Sequence, residues 1–339
     1  MSNLTGIVRE KLINGILDGT YLPGEKLPPE RDFARDNEIS RITVRRAFAQ
    51  LEALGIIIRK RPSGTYVADA FRAHSRELEN IGLITTLPHE FSGRFVEAVS
   101  GCCEKEDILL ALGIPQDESV EMQLKIAARM ASRGVKNLIV WGAEKSGDQP
   151  LFERLRILGV NMVFFDQVIP GNFADYVGLD NFAAVETLFQ RALDRGAKEL
   201  IFVNYKDFSI DSNREREEAF CRCLRESGAK GRVALLSRRS TACERREVLT
   251  ELPDNRDGSC AVIGANGSLI RELFPENPRN YHLFCVDRFP GGSEVKVCSY
   301  AQPVSRMAEC AVEMLKNQCR KGEKWHSTQR RFAGELVEK

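Results

Sequence analysis

Apolar residues recur at helical spacing from residue 4 to residue 18, at Leu4, Val8, Leu12 and Ile16 with Ile13 and Leu17 widening the stripe, and Gly19 ends the pattern. This predicts a first helix. Pro23-Gly24 marks a turn, Pro28-Pro29-Glu30-Arg31 starts a short second helix with proline in its first turn, and Asn37-Glu38-Ile39 breaks it. From Ser40 to Gly55 a third pattern places Val44, Ala47, Phe48, Leu51 and Leu54 on one helical face and Ile42, Arg45, Arg46 and Ala49 on the other. Ser40 stands at the N-cap position, where its hydroxyl can accept from a free first-turn amide. Two helices separated by about four residues, the second with a basic free face, read as a helix-turn-helix. Ile56 to Lys60 is β-branched and strand-like, Arg61-Pro62-Ser63-Gly64 turns the chain, and Thr65-Tyr66-Val67 returns it, which predicts a hairpin wing with a basic tip.

Residues 68 to 79 carry many charges and little periodicity, and 69–79 is read as a linker. From Asn80 short apolar strands alternate with amphipathic helices. Ile81 to Ile84 precedes a helix near Gly93 to Glu106, Ile108 to Leu112 one near Glu118 to Arg133, and Leu138 to Trp141 one near Leu151 to Leu158; Met162 to Phe165 follows. A second series runs from a helix at Phe182 to Arg195 through strand Leu200 to Val203, helix Arg214 to Ser227, strand Val233 to Leu236, helix Thr241 to Leu252, strand Ala261 to Ile263 and a helix from Gly267, and strand His282 to Val286 closes it. Such alternation predicts parallel sheets covered by helices. About 260 residues exceed what one sheet needs, so the expected α/β architecture is a winged helix-turn-helix over 1–68 followed by a two-lobed, doubly wound domain over 80–339, with a cleft between the lobes.

Charge sharpens the picture at the N-terminus. The net charge of +1 conceals a front segment, 1–68, with 11 Lys and Arg against 8 Asp and Glu, while the remainder is slightly acidic. Between residues 41 and 61 six basic side chains (Arg41, Arg45, Arg46, Arg59, Lys60, Arg61) face only Glu52. Basicity is therefore local, as a docking face for phosphates requires.

The string Gly15 to Val67, with its PG, LP-x-ER, SR-x-TVR and GT-x-V pieces, resembles the GntR-type winged helix nearly throughout. That resemblance implies DNA contacts at Arg31, Ser40, Arg41, Thr43 and Arg45, with Arg61, Ser63 and Gly64 at the wing tip. Pro62 departs from the family, which usually has glycine there; proline has no amide to offer a phosphate, and Arg61 or Ser63 takes that place.

Residues 80 to 339 resemble the LacI-type effector domain, itself similar to periplasmic sugar-binding proteins. The pieces that carry the likeness are NIGLITT, the stretch Leu158 to Asn181 with its FFDQ and YVGLDN strings, NREREEAF, AVIGANGS, LFCVDR, and Ser299 to Leu315. The combination resembles arabinose-repressor-like architecture. Ligands of open α/β sheets bind beyond the carboxyl ends of strands. Asp166 ends one strand, Asn266 follows another, Asp287 ends a third, and Arg216 enters from the start of a helix. Carboxylates, an amide and a guanidinium together supply the acceptors and donors that a ring of hydroxyls needs. By the resemblance these four positions match effector contacts, with Phe91 in the first loop a candidate to stack on the ligand's apolar face. Asp180, Asn181 and Asn266 are equally suited to cap helices or end strands. Gly267 and Ser268 stand where the family often has Asp, so the resemblance does not fix the ligand.

No GxGxxG, Walker, GxSxG or HExxH motif occurs, so no catalytic residue, cofactor or metal ligand is expected. Ten scattered cysteines without CxxC spacing read as free thiols in helices and strands. No signal peptide or membrane span is evident, which places the protein in the cytoplasm. The expectation is a ligand-responsive transcription repressor. Its partners are a two-fold operator DNA, which it binds as a homodimer held largely by the C-terminal lobes, and a small-molecule effector, a sugar. The alternatives are a sugar-binding protein whose N-terminal unit contacts other proteins, and a sugar-acting enzyme.

Overall fold

A computed structural model describes residues 4–17, 19–68, 77–85, 90–116, 119–142, 149–167, 172–207, 210–238, 240–253, 258–276, 281–290 and 295–338. The linker reading over 69–79 therefore lies largely outside the described residues. The chain opens with α1 (Leu4–Leu17), α2 (Glu30–Asp36) and α3 (Arg41–Ala53), then the antiparallel hairpin β1 (Ile57–Lys60) and β2 (Gly64–Val67). The helices bury apolar faces, Val8, Leu12, Ile13 and Ile16 from α1, Phe33 and Ala34 from α2, and Val44, Ala47, Phe48 and Leu51 from α3, whereas Leu4, placed on the α1 stripe by its spacing, is exposed in the first turn. Phe33 meets Phe48 edge-on at 5.9 Å. Each large apolar side chain removed from water in this way contributes about 1.5–3 kcal/mol. The loop before α2 is sewn to the wing, Leu27 N donating to Thr65 O at 2.8 Å and Gly24 N to Val67 O at 3.2 Å.

The rest of the chain continues through β3 (Asn80–Ile84), α4 (Glu90–Lys105), β4 (Leu109–Gly113), α5 (Val120–Ala131), β5 (Asn137–Trp141), α6 (Gln149–Ile157), β6 (Asn161–Phe165) and β7 (Asp175–Leu179). There follow α7 (Asn181–Asp194), β8 (Glu199–Tyr205), α8 (Asp211–Ser227), β9 (Lys230–Leu236), α9 (Ala242–Thr250), β10 (Cys260–Gly264), α10 (Gly267–Leu273) and β11 (Tyr281–Val286). The second series does not close at Val286: β12 (Val297–Ala301), α11 (Val304–Lys321), β13 (Gln329–Phe332) and β14 (Glu335–Glu338) come after it.

Two six-stranded sheets result, ordered β13-β7-β6-β5-β3-β4 and β14-β12-β11-β10-β8-β9. The same order in both sheets makes β6 and β11 equivalent strands. Pairs β3/β4, β3/β5, β5/β6, β8/β9, β8/β10, β10/β11 and β11/β12 are parallel, as alternation with helices dictates. The all-parallel expectation fails at the edge, where β14 runs antiparallel to β12. By compactness the chain divides into a first unit, 1–176 with 308–329, and a second unit, 177–307 with 330–339. The winged head and the sheet after it belong to the first unit, where a single apolar core joins them.

Within the first unit a buried carboxylate fixes the later segments to the sheet. Asp175, fully buried, accepts from Gln318 Nε2 at 2.7 Å, Trp325 Nε1 at 3.2 Å, Thr328 N at 2.7 Å and Thr328 Oγ1 at 2.9 Å. Arg156 joins through Gln318 Oε1 at 2.9 Å and lies over the Trp325 ring at 4.3 Å.

Candidate functional site

Ser40 caps α3: its Oγ accepts from Thr43 N at 3.2 Å and shares a hydrogen bond with Thr43 Oγ1 at 2.7 Å. The first turn so fixed presents Arg41, Ile42, Arg45 and Arg46 outward, all exposed. Among the described residues Arg41, Arg45, Arg46 and Arg61 form no ion pair, so their guanidiniums are available to an anion. Arg31 is 78% exposed in its side chain and lies 3.5 Å from Asp32. Arg61 and Ser63 are exposed at the wing tip, and Gly64 follows with φ +130°, where a Cβ would lie 2.7 Å from Lys26 Cε. Arg59, one of the six cations between residues 41 and 61, is half-buried and already paired within the head, with Glu30 at 2.9 Å and Glu52 at 3.3 Å. The pairing is legible only in three dimensions, since Arg59 lies in β1 and Glu30 in α2.

The five effector candidates fall in both units, and each set is described by itself. In the first unit Asp166 follows β6 with φ +64°, and its side chain is buried. Phe91 sits not in a loop but in the first turn of α4, 8% exposed, because its ring packs into an aromatic cluster. It stacks on Phe165 at 6.1 Å and meets Trp141 edge-on at 5.3 Å, while Phe95 stacks on Phe165 at 3.7 Å.

In the second unit Asp287 follows β11 with φ +69°, the same left-handed backbone at the equivalent strand end, a conformation that Asp tolerates better than most residues. Gln302 Nε2 donates to Asp287 Oδ1. Arg216, 3% exposed in α8, donates from Nε to Asn181 Oδ1 at 2.8 Å and from Nη1 to Ala265 O at 2.7 Å. Its Nη2 has no hydrogen-bond partner among the described residues. Asn266 caps α10, its Oδ1 accepting from Leu269 N at 3.0 Å, so its oxygen serves the helix. Tyr205 hydrogen-bonds Asn266, and burial pushes the phenol up to about 12, keeping it protonated. Tyr205 and Asn213 also line a cavity of about 660 Å³ in this unit.

Sequence reasoning did not find the groups that hold Arg216. Asn181 donates from Nδ2 to Glu215 Oε2 at 2.8 Å, and Arg331 grips both oxygens of Glu215 at 2.8 Å. Burial opposes the charge on Glu215, but the Arg331 and Asn181 hydrogen bonds outweigh it and lower its pKa. Glu215 directly precedes Arg216 in the NREREEAF string, the one signal that pointed to it. Asp180 caps α7 by accepting from Ala183 N at 3.0 Å.

No three His, Cys, Asp or Glu side chains are grouped to hold a metal ion among the described residues. All ten cysteines are free thiols, and burial pushes Cys285 up to about 12. No helix among the described residues is long and apolar enough to cross a membrane.

Residues 4–67 match the family model of bacterial regulatory proteins of the gntR family, so the head is a GntR-type winged helix. The chain is similar to a probable fructoselysine utilization operon transcriptional repressor of Escherichia coli (strain K12), 35% identical over 77 residues, 23% of this chain and 29% of that protein. The match thus spans less than a third of that relative's length. An arabinose metabolism transcriptional repressor of Halalkalibacterium halodurans is 24% identical over 240 residues, 67% of this chain and 62% of that one. Among solved structures, the Cra transcriptional dual regulator of Pseudomonas putida in complex with fructose 1-phosphate superposes with a TM-score of 0.64 at 14% identity, over 77% of this chain and 99% of that chain. Behind the GntR-type head the chain therefore has the two-domain parallel-sheet fold of LacI-type regulators.

Proposed function

We propose that the protein is a transcriptional repressor that binds operator DNA through its winged head and is controlled by a sugar bound to its LacI-type region. One observation carries the reading most: the capped first turn of α3 in a GntR-type head exposes Arg41, Arg45 and Arg46 together. A helix N-terminus with such a face suits phosphate oxygens and the O6 and N7 acceptors of guanine. Arg31, Ser40, Thr43, Arg61, Ser63 and Gly64 are the further DNA contacts. Ser40 and Thr43 have hydroxyls already oriented by one another.

A sugar effector is supported by the relatives, named for arabinose and fructoselysine, and by the fructose 1-phosphate held in the Cra structure. Its contacts are assigned to Asp166 and Phe91 in the first unit and to Arg216, Asn266 and Asp287 in the second. Arg216 is the strongest of these, because Asn181 and Ala265 fix its guanidinium through Nε and Nη1 and leave Nη2 free to donate to a ligand acceptor. The acting form is a cytoplasmic homodimer on a two-fold operator, and it is not an enzyme; a sugar presented to it is released unchanged. Selection from a random duplex pool, followed by thermal-shift screening of mono- and disaccharides against the protein, tests both halves. A specific duplex whose binding weakens or strengthens with one stabilising sugar is expected. Failure to enrich any duplex at low salt would overturn the DNA assignment.

A further inference from the structure

The head is not held to the sheet that follows it by chain connectivity alone. Helix α1 packs against α5 and α6, and the apolar core of the head runs on without a break into Leu124, Ala128, Phe152 and Leu155 of those helices. Arg154 of α6 covers Gly19, just past the end of α1, where a Cβ would lie 3.0 Å from its Nη1. Leu54, the C-cap of α3, points the other way along the same helix from the exposed arginines and reaches Gly134 in the turn after α5.

At that turn stands Lys136, 6% exposed. Its ammonium donates to the carbonyl of Leu54 and, at 3.4 Å, to that of Leu158. The last carbonyls of a helix carry its negative pole and lack partners within the helix, so a cation there satisfies both needs. Among the described residues no carboxylate pairs with it, and burial lowers its pKa to about 7. Polar groups are left in such surroundings at a cost, and here the two carbonyls that offset the cost belong one to the head and one to the sheet domain. The contact leaves the basic face of α3 exposed.

We propose that the winged head and the domain carrying β3 to β6 move as one rigid body, and that Lys136 is the positioning residue that fixes the rear end of the recognition helix α3 to that domain. Resting on the proposed role of α3 in reading DNA, this gives effector binding a direct route to the operator. Any rotation of the first unit carries the arginine face with it, so the spacing of two heads in a dimer follows the orientation of the lobes rather than the reach of a loose tether.

The rigid-body claim is tested without DNA or effector, by 15N relaxation on the full chain. Amides of α1 and α3 are expected to share one correlation time with those of α5 and β5; separate, faster tumbling of the head in the unaltered protein would overturn the proposal. Lys136→Met keeps the aliphatic stem and removes the charge, and Lys136→Glu reverses it. Both are expected to give the C-terminal turn of α3 faster motion than α5 and β5 while α1 stays docked through its apolar core, and an α3 as rigid in both as in the unaltered chain would overturn the role of Lys136. The variants are then compared with the unaltered chain on a series of selected duplexes whose half-sites are moved apart in single base-pair steps. A fixed head discriminates among spacings, and Lys136→Met is expected to flatten that discrimination while keeping its best affinity within about threefold. Equal loss at every spacing would mark Lys136 as merely structural. Absence of duplex binding in every form, with relaxation as expected, would sink the DNA reading and leave the docked head standing.

Discussion

Arg216 donates from Nε to Asn181 Oδ1 at 2.8 Å, and Asn181 donates in turn to Glu215, which Arg331 clasps with two hydrogen bonds. A guanidinium on α8 is thereby aimed by the first residue of α7 and, at one remove, by strand β13. Removing the amide in Asn181→Ala leaves a buried charged donor without its acceptor, a loss of roughly 2–3 kcal/mol. The apparent melting temperature is expected to fall by several degrees. Arg216→Met should be tolerated better, since it removes the charge along with the need to satisfy it. It is expected to abolish the melting-temperature rise caused by whichever sugar stabilises the unaltered protein, as calorimetry would reveal.

In the head, Arg41→Ala and Arg45→Ala are each expected to weaken operator binding by about 1–3 kcal/mol, the worth of a well-placed arginine on a base edge. Where the arginine instead neutralises a phosphate, its removal lowers the slope of log affinity against log salt by about 0.9. Arg59→Ala should behave differently. Its partners are Glu30 and Glu52, so the substitution lowers the thermal stability of the head while leaving the salt slope unchanged. Titrations at several salt concentrations distinguish the two classes.

Lys136 makes a prediction about pH. Burial lowers its pKa to about 7 from the ordinary 10.5, so between these values the unfolded chain holds a proton that the folded protein has given up. Stability rises with pH wherever the unfolded state binds more protons. The cost of the buried ammonium is therefore full below pH 7 and is relieved as pH climbs toward 10. Buried thiols such as Cys285, whose pKa is raised, act in the opposite sense above their ordinary value. The informative quantity is the difference between the unaltered chain and Lys136→Met, whose advantage at pH 6.5 should shrink steadily by pH 9 in paired thermal melts.

Asp175 supplies a sharper structural test. Gln318 Nε2 and Trp325 Nε1 both donate to its Oδ2, while Thr328 donates twice to Oδ1. Asp175→Asn must turn an NH2 group toward one pair of donors. A loss of roughly 3–5 kcal/mol is expected, the cost of breaking a buried charged network, although the change is nearly isosteric. Urea denaturation followed by the fluorescence of Trp141 and Trp325 together measures it.

The head was legible in the sequence because each of its elements carries its own local signal: the apolar stripe of α1, the proline start of α2, the Ser40 cap and the tight turn into the wing. The alternating strands and helices from β3 to β11, apart from β7, were legible for the same reason. The features that were not legible are short, polar or dependent on distant partners. Strands β13 and β14 are largely exposed edge strands with no apolar alternation to announce them. Strand β7 is five residues interrupted by Gly178. Phe91 reads as a loop aromatic until Trp141 and Phe165 are seen to enclose it. Lys136 carries no signal of its own in the sequence, and only the fold brings the carbonyl of Leu54 to it.

The central claim, that exposed arginines on a capped helix read operator DNA, meets its most direct test in the salt dependence of duplex binding by the full chain and by an Arg41→Ala/Arg45→Ala double variant. Binding of a selected duplex by the unaltered protein should fall steeply and linearly in log affinity against log salt, and the double variant should bind far more weakly with a shallower slope. Duplex affinity that ignores salt, or that survives loss of both arginines, would contradict it.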